Sequence, residues 1–93
     1  MALTFSLHAE RRMRQRGIPP LIVDLLYHFG AVERSHRAER LLFNKPAKAR
    51  LSRALGARSM AIIEKWMSVY AVVSDETGEL ITVGHRRHRF KRK

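Results

Sequence analysis

Apolar positions near the start of the chain recur with helical spacing. Ser6 stands before a segment, residues 7–16, in which Ala9 and Met13 are one turn apart, and Gly17 follows it. The Ser6 hydroxyl can accept a hydrogen bond from an orphan backbone N–H of the first turn, and Gly17 suits the stop, so the pattern predicts a helix from Leu7 to Arg16. Pro19 and Pro20 open a second helix, because their missing N–H groups fall where a first turn has no intrahelical partner. Leu21, Ile22, Leu25, Leu26 and Phe29 give that helix an apolar stripe, and Gly30 ends it.

The middle is mixed. Val32 and the run Leu41, Leu42, Phe43 predict short strands around a polar bend. Asn44 then caps a third helix, "KPAKARLSRAL", with Pro46 in its first turn, Ala47, Leu51, Ala54 and Leu55 inward, and Lys48, Arg50 and Arg53 outside. Residues 58–67 read equally as helix or strand. After them Met67, Val69, Ala71 and Val73 alternate onto one strand face, "DETG" turns, and "ELITVGH" returns, which predicts a hairpin with Gly78 in the left-handed position. If the strand extends back to Trp66, that ring and Tyr70 share the opposite face and form a platform for unstacked bases, or else they cover a helix. Tyr27, Phe29 and Phe43 are assigned to the core.

Charge changes the picture. The 93 residues carry 19 Lys and Arg against 8 Asp and Glu, a formal net charge of +11, and no cysteine. A single domain of this size buries only about 60–65% of its unfolded surface, which leaves little room for an elaborate active site. Self-repulsion of that size has no benefit for folding, so the charge points to a polyanionic partner. The absence of cysteine excludes disulfide frameworks, thiolate nucleophiles and Cys-ligated zinc. No stretch approaches 18 apolar residues, and the first ten lack the apolar core of a signal peptide, so a cytoplasmic protein with no membrane partner is expected.

Two clusters suggest chemistry. His8, Arg12 and Arg16 fall at i, i+4 and i+8 along the first helix beside Ala9 and Met13. A histidine at the edge of a buried face is half desolvated; neighbouring arginines disfavour its protonated form and a bound phosphate restores it, which suits a proton donor or acceptor. The plainer reading is a half-buried histidine at a helix start beside solvated arginines. The second cluster, "ITVGHRRHR", places Thr82, His85, Arg86, Arg87, His88 and Arg89 at and beyond the last strand. Alternation puts Thr82, Gly84 and Arg86 on one side and Val83, His85 and Arg87 on the other, unless a bulge, for which Gly84 is a natural place, intervenes. The plainer reading is an electrostatic patch for nucleic acid made by Arg11, Arg16, Arg86, Arg87, Arg89, Lys91, Arg92 and Lys93, in a basic tail starting at about residue 86. His85 and His88 carry metal-ligating rings, but no nearby Asp, Glu or Cys completes a set, so neither metal nor cofactor is expected. Asp24, Glu33 and Asp75 are read as surface or turn residues. RNA cleavage without a metal needs a base, an acid and cations around phosphorus, and histidines with arginines supply these.

The stretches "HAERRMRQRGI" and "YAVVSDETGELITVGHR" resemble a widespread group of small bacterial domains of unknown function, grouped by analogy with RelE-like toxins and the wider barnase, EndoU and colicin type of ribonuclease. The shared pattern falls on His8, Arg12, Met13, Arg16, Gly17 and Ile18, and on Ile81, Thr82 and Val83, leaving the middle of the chain unaccounted for. The resemblance implies an α+β domain with N-terminal helices on one face of a small antiparallel sheet and an RNA cleft at the other. It also implies a toxin-like, metal-independent endoribonuclease with His8, Arg12 and Thr82 in its site, held inactive by an antitoxin protein and acting on RNA on or off the ribosome. His8 is the expected acid or base, Arg12 and Arg16 the phosphate clamps, and Thr82 or His85 the group meeting them. Against this enzyme stand a non-catalytic nucleic-acid-binding module, such as a regulator or degenerate toxin, and an assembly protein. A helix-turn-helix over residues 7–29 is disfavoured because its second helix is mostly apolar.

Overall fold

In the computed structural model, which describes residues 5–86, Ser6 Oγ accepts a hydrogen bond from the Ala9 N–H at 3.0 Å and starts α1 (Leu7–Arg16). The helix stops at Gly17, whose φ of 63° opens a Schellman motif: the Ile18 N–H donates to the Met13 carbonyl at 2.9 Å, and both side chains enter the core. Pro20 begins α2 (Pro20–Phe29), which buries Ile22, Val23 and Leu26. Gly30 ends it in extended backbone, where an added Cβ would sit 2.5 Å from the Leu26 carbonyl oxygen.

The chain then forms β1 (Ala31–Ser35) and β2 (Ala38–Leu42), paired antiparallel around His36, which takes a φ of 51°. Asn44 Oδ1 accepts from the Ala47 N–H at 3.0 Å and caps α3 (Lys45–Leu55). Ala47 and Leu51 are buried; Leu55 reaches partly inward, while Ala54, only a methyl long and in the last turn, stays exposed rather than inward. Residues 57–66 are helical: α4 (Ala57–Ile63) runs into a 3-10 turn, Glu64–Trp66. A hairpin of β3 (Val69–Ser74) and β4 (Leu80–His85) closes the sheet, with Gly78 at a φ of 74° in its turn.

Strand order is β1-β2-β3-β4, antiparallel throughout, with α3 and α4 inserted between β2 and β3. One face of the sheet, carrying Leu41, Val69, Ala71, Val73, Leu80 and Val83, joins the buried residues of all four helices in one apolar cluster. The molecule is therefore an α+β fold with its helices on one side of a small antiparallel sheet. Full burial of each Val, Leu or Phe there contributes about 1.5–3 kcal/mol. Phe43 is fully buried and Phe29 half-buried, as expected, but Tyr27 is 48% exposed, its ring edge-on to His28. Trp66 lies in the 3-10 turn, half-buried against the core with the Lys65 ammonium 4.5 Å from its ring centre, so strand alternation does not apply and it shares no face with Tyr70.

The start of α1 is fastened to the free edge of β4. Phe5 forms an isolated parallel bridge with Leu80, the Ser6 N–H donates to the Leu80 carbonyl at 3.0 Å, and the Ser6 hydroxyl donates to the Ile81 carbonyl at 3.2 Å. The sheet's bulge falls here, at Ile81, where pairing slips between Val73–Leu80 and Val72–Thr82; Gly84, the expected place, pairs regularly with Tyr70. No described helix is long and apolar enough to cross a membrane.

Candidate nucleic-acid interface

Ala9 and Met13 draw α1 onto β4, and this contact places the helix that carries His8 and Arg12 against the strand that carries Thr82. Successive residues of a helix are turned by about 100°, so His8 points well away from Ala9 and is exposed, not half desolvated as the spacing suggested. Arg12 is half-buried, and its Nε is sequestered with no hydrogen-bond partner. Such a donor costs about 1–3 kcal/mol while it stays unpaired, and the rest of the guanidinium has donors that an anion can meet. Arg11 and Arg16 are exposed.

The register of β4 separates the remaining predicted residues. Thr82 pairs with Val72 and Gly84 with Tyr70 on the face away from the helices, whereas His85 pairs with Val69 and belongs to the other side. Thr82 and His85 therefore do not line one cleft. His85 is exposed, and its Nδ1 is 2.8 Å from Ser68 Oγ. Arg86, expected to begin the free tail, is instead docked: its N–H donates to the Ser68 carbonyl at 2.7 Å and its guanidinium to the Phe43 carbonyl at 3.1 Å. It is half-buried with an unpaired Nε, like Arg12. Arg87, His88, Arg89, Lys91, Arg92 and Lys93 lie outside the described residues.

The face of the sheet opposite the helices carries residues that sequence reasoning did not bring together. The Arg40 guanidinium carbon lies 5.9 Å from the Tyr70 ring centre, and the ring leans across Gly84 so closely that an added Cβ would meet it at 3.1 Å. A hollow of about 430 Å³ lies beside them, lined by Glu33, Ser35, Ala38, Arg40 and Val72. Tyr70 is expected from the sequence as part of a platform for bases; Arg40, two residues before Leu42, is not, because no local pattern shows which strand β2 pairs with. A larger, mostly apolar groove of about 550 Å³ runs along Phe5, Met13, Ile18, Pro19 and Pro20 on the Glu10 and Arg14 flank of α1, away from His8.

Among the described residues, only Arg34 and Arg40 of the arginines and lysines pair with a carboxylate, Glu39 at 3.3 Å and Glu33 at 3.0 Å. Exposed pairs of this kind contribute about 0–1 kcal/mol each and leave the surface strongly positive. No group of three His, Asp or Glu among the described residues is placed to hold a metal ion. No family model matches the chain, and no match was found among curated proteins or among solved structures.

Proposed function

We propose that this protein is a toxin-like endoribonuclease that cleaves RNA phosphodiesters, with His8 and Arg12 as its working residues. The observation that carries the reading is the half-buried Arg12, with an orphan Nε, one turn from an exposed histidine on a helix packed against β4. His8 either takes the proton of the attacking 2'-hydroxyl or gives one to the departing 5'-oxygen, and solvent water carries the other of the two transfers. Arg12, with Arg16 a turn on, holds the phosphate oxygens as charge builds on phosphorus. Thr82, which the resemblance implies for the site, is on the sheet face away from α1, and His85, on the helix side of β4, is held beside Ser68, so neither is given a step. The O2'–P bond forms as the P–O5' bond breaks, leaving a 2',3'-cyclic phosphate and a 5'-hydroxyl, and the reaction asks for no cofactor. The resemblance of "HAERRMRQRGI" and of the strand Ile81, Thr82, Val83 to toxin-related domains supports the same reading. It adds an antitoxin partner, bacterial RNA as substrate and a cytoplasmic setting to the proposal.

Labelled single-stranded RNA incubated with the protein in EDTA tests it. Wild type should cleave to cyclic-phosphate ends, and His8→Ala should fall on the order of 100- to 10,000-fold while still binding RNA. Equal cleavage by the variant sinks the assignment. A second reading, a non-catalytic RNA-binding module, is favoured by the many described cations without carboxylate partners. It predicts a salt-sensitive gel shift with intact RNA in the same experiment.

A further inference from the structure

We propose that Tyr70, flanked by Arg40 and Arg86, forms a nucleotide subsite on the open face of the sheet. The ring takes one unstacked base of a single-stranded RNA as Arg40, whose guanidinium carbon stands 5.9 Å over it, swings out to one neighbouring phosphate, and Arg86 takes the other. The proposal rests on the reading of the protein as one that acts on RNA, and locates where the strand lies. Tyr70 pairs with Leu42 on β2 and with Gly84 on β4, so its side chain is on the face opposite the helical core. Gly84 puts no side chain in the way, so the ring leans over the β4 backbone and is only half-buried. The position of the two arginines follows from the same register. Arg40 precedes Leu42 by two residues on the same face, and Arg86 donates to the carbonyl of Phe43, the residue after Leu42. The guanidiniums thus bracket the cross-strand partner of Tyr70, one toward each end of the strand.

Each arginine donates one side-chain hydrogen bond to the protein, Arg86 to the Phe43 carbonyl and Arg40 to the Glu33 carboxylate, and each guanidinium has further donors. Arg86 has a buried Nε without a partner, and Arg40 shares only the exposed Glu33 carboxylate, an ion pair weak enough to be exchanged for phosphate. A ring between two guanidiniums matches a chain in which every base is flanked by phosphates. It does not match a duplex, whose base faces are closed by stacking, and an acidic peptide has no use for the ring. A single-stranded RNA is therefore the occupant the chemistry fits.

Fluorescence anisotropy with a labelled single-stranded RNA, the same RNA as a duplex, and polyglutamate tests the subsite on wild type, Tyr70→Phe and Tyr70→Ala. Tyr70→Ala should weaken binding to the single strand on the order of 10- to 100-fold, as expected for one lost base stack, with Tyr70→Phe near wild type and polyglutamate binding unchanged. Undiminished RNA affinity in Tyr70→Ala overturns the proposal, as does an equal loss toward polyglutamate in a variant shown to be folded by circular dichroism. Should Tyr70→Ala fail to fold, photocrosslinking of wild type to 4-thiouridine RNA replaces it: adducts on Tyr70 sustain the subsite, and adducts confined to other residues overturn it. Failure of the nuclease reading is separable, because it appears as wild-type binding without cleavage, while failure of the subsite leaves His8-dependent cleavage in place.

Discussion

At the scale of single residues, Arg12 shows what the fold gives up. Its Nε is withdrawn from water beside the α1–β4 contact and finds no acceptor, a state that stabilises nothing in the free protein. Arg12→Met keeps the aliphatic stem that packs there and removes the unsatisfied donor. Thermal unfolding of that variant should show stability unchanged or raised by about 1–2 kcal/mol, while RNA cleavage drops by at least an order of magnitude. A large loss of stability would instead mean that the guanidinium is a structural contact. The pairing of His8 with Arg12 is legible in the sequence, because i, i+4 spacing is local geometry. The burial of Arg12 is not, since it depends on how closely α1 sits on a strand some seventy residues away. Arg40 and Tyr70 meet only through the register of β2 with β3, which no local pattern encodes.

The elements themselves were read well wherever a cap marks them. Ser6 and Asn44 accept the bonds that a first turn needs, Gly17 and Gly78 take left-handed backbone, and the alternating Val69, Ala71 and Val73 are buried. Residues 58–67 carry no such mark, and their short helix and 3-10 turn are held by tertiary packing of Met60, Ile63 and Trp66. Ser6 does more than cap: its hydroxyl also reaches the Ile81 carbonyl at the bulge, so one side chain both starts α1 and ties it to β4. Ser6→Ala should cost about 1–2 kcal/mol in urea unfolding and also reduce RNA cleavage, because the helix bearing His8 and Arg12 is no longer fixed against β4. Asn44→Ala removes a cap of the same kind remote from that contact and should cost about 1 kcal/mol with cleavage intact. Equal effects of the two on cleavage would show that the Ser6 tie has no part in the site.

For the molecule as a whole, the question is which of its positive charges hold RNA. Each phosphate contact made by a cation to a single strand contributes about 0.7 to the slope of log affinity against log salt. The five Arg and Lys after Arg86 can then supply a slope of up to about 3.5. A chain ending at Arg86 retains the bonds to Ser68 and Phe43 that complete the sheet, so it separates tail from fold more cleanly than a cut before that residue. Anisotropy titrations across a salt series should show the truncated chain losing slope, and Arg40→Ala losing about 0.7 of it. Tyr70→Ala should bind more weakly at every salt concentration with an unchanged slope, since its ring carries no charge. If truncation leaves the slope as it was, the described surface alone neutralises the RNA backbone, and the tail's charge serves some other contact. If Tyr70→Ala lowers the slope as much as Arg40→Ala does, the ring acts by positioning the arginines beside it and not by stacking a base.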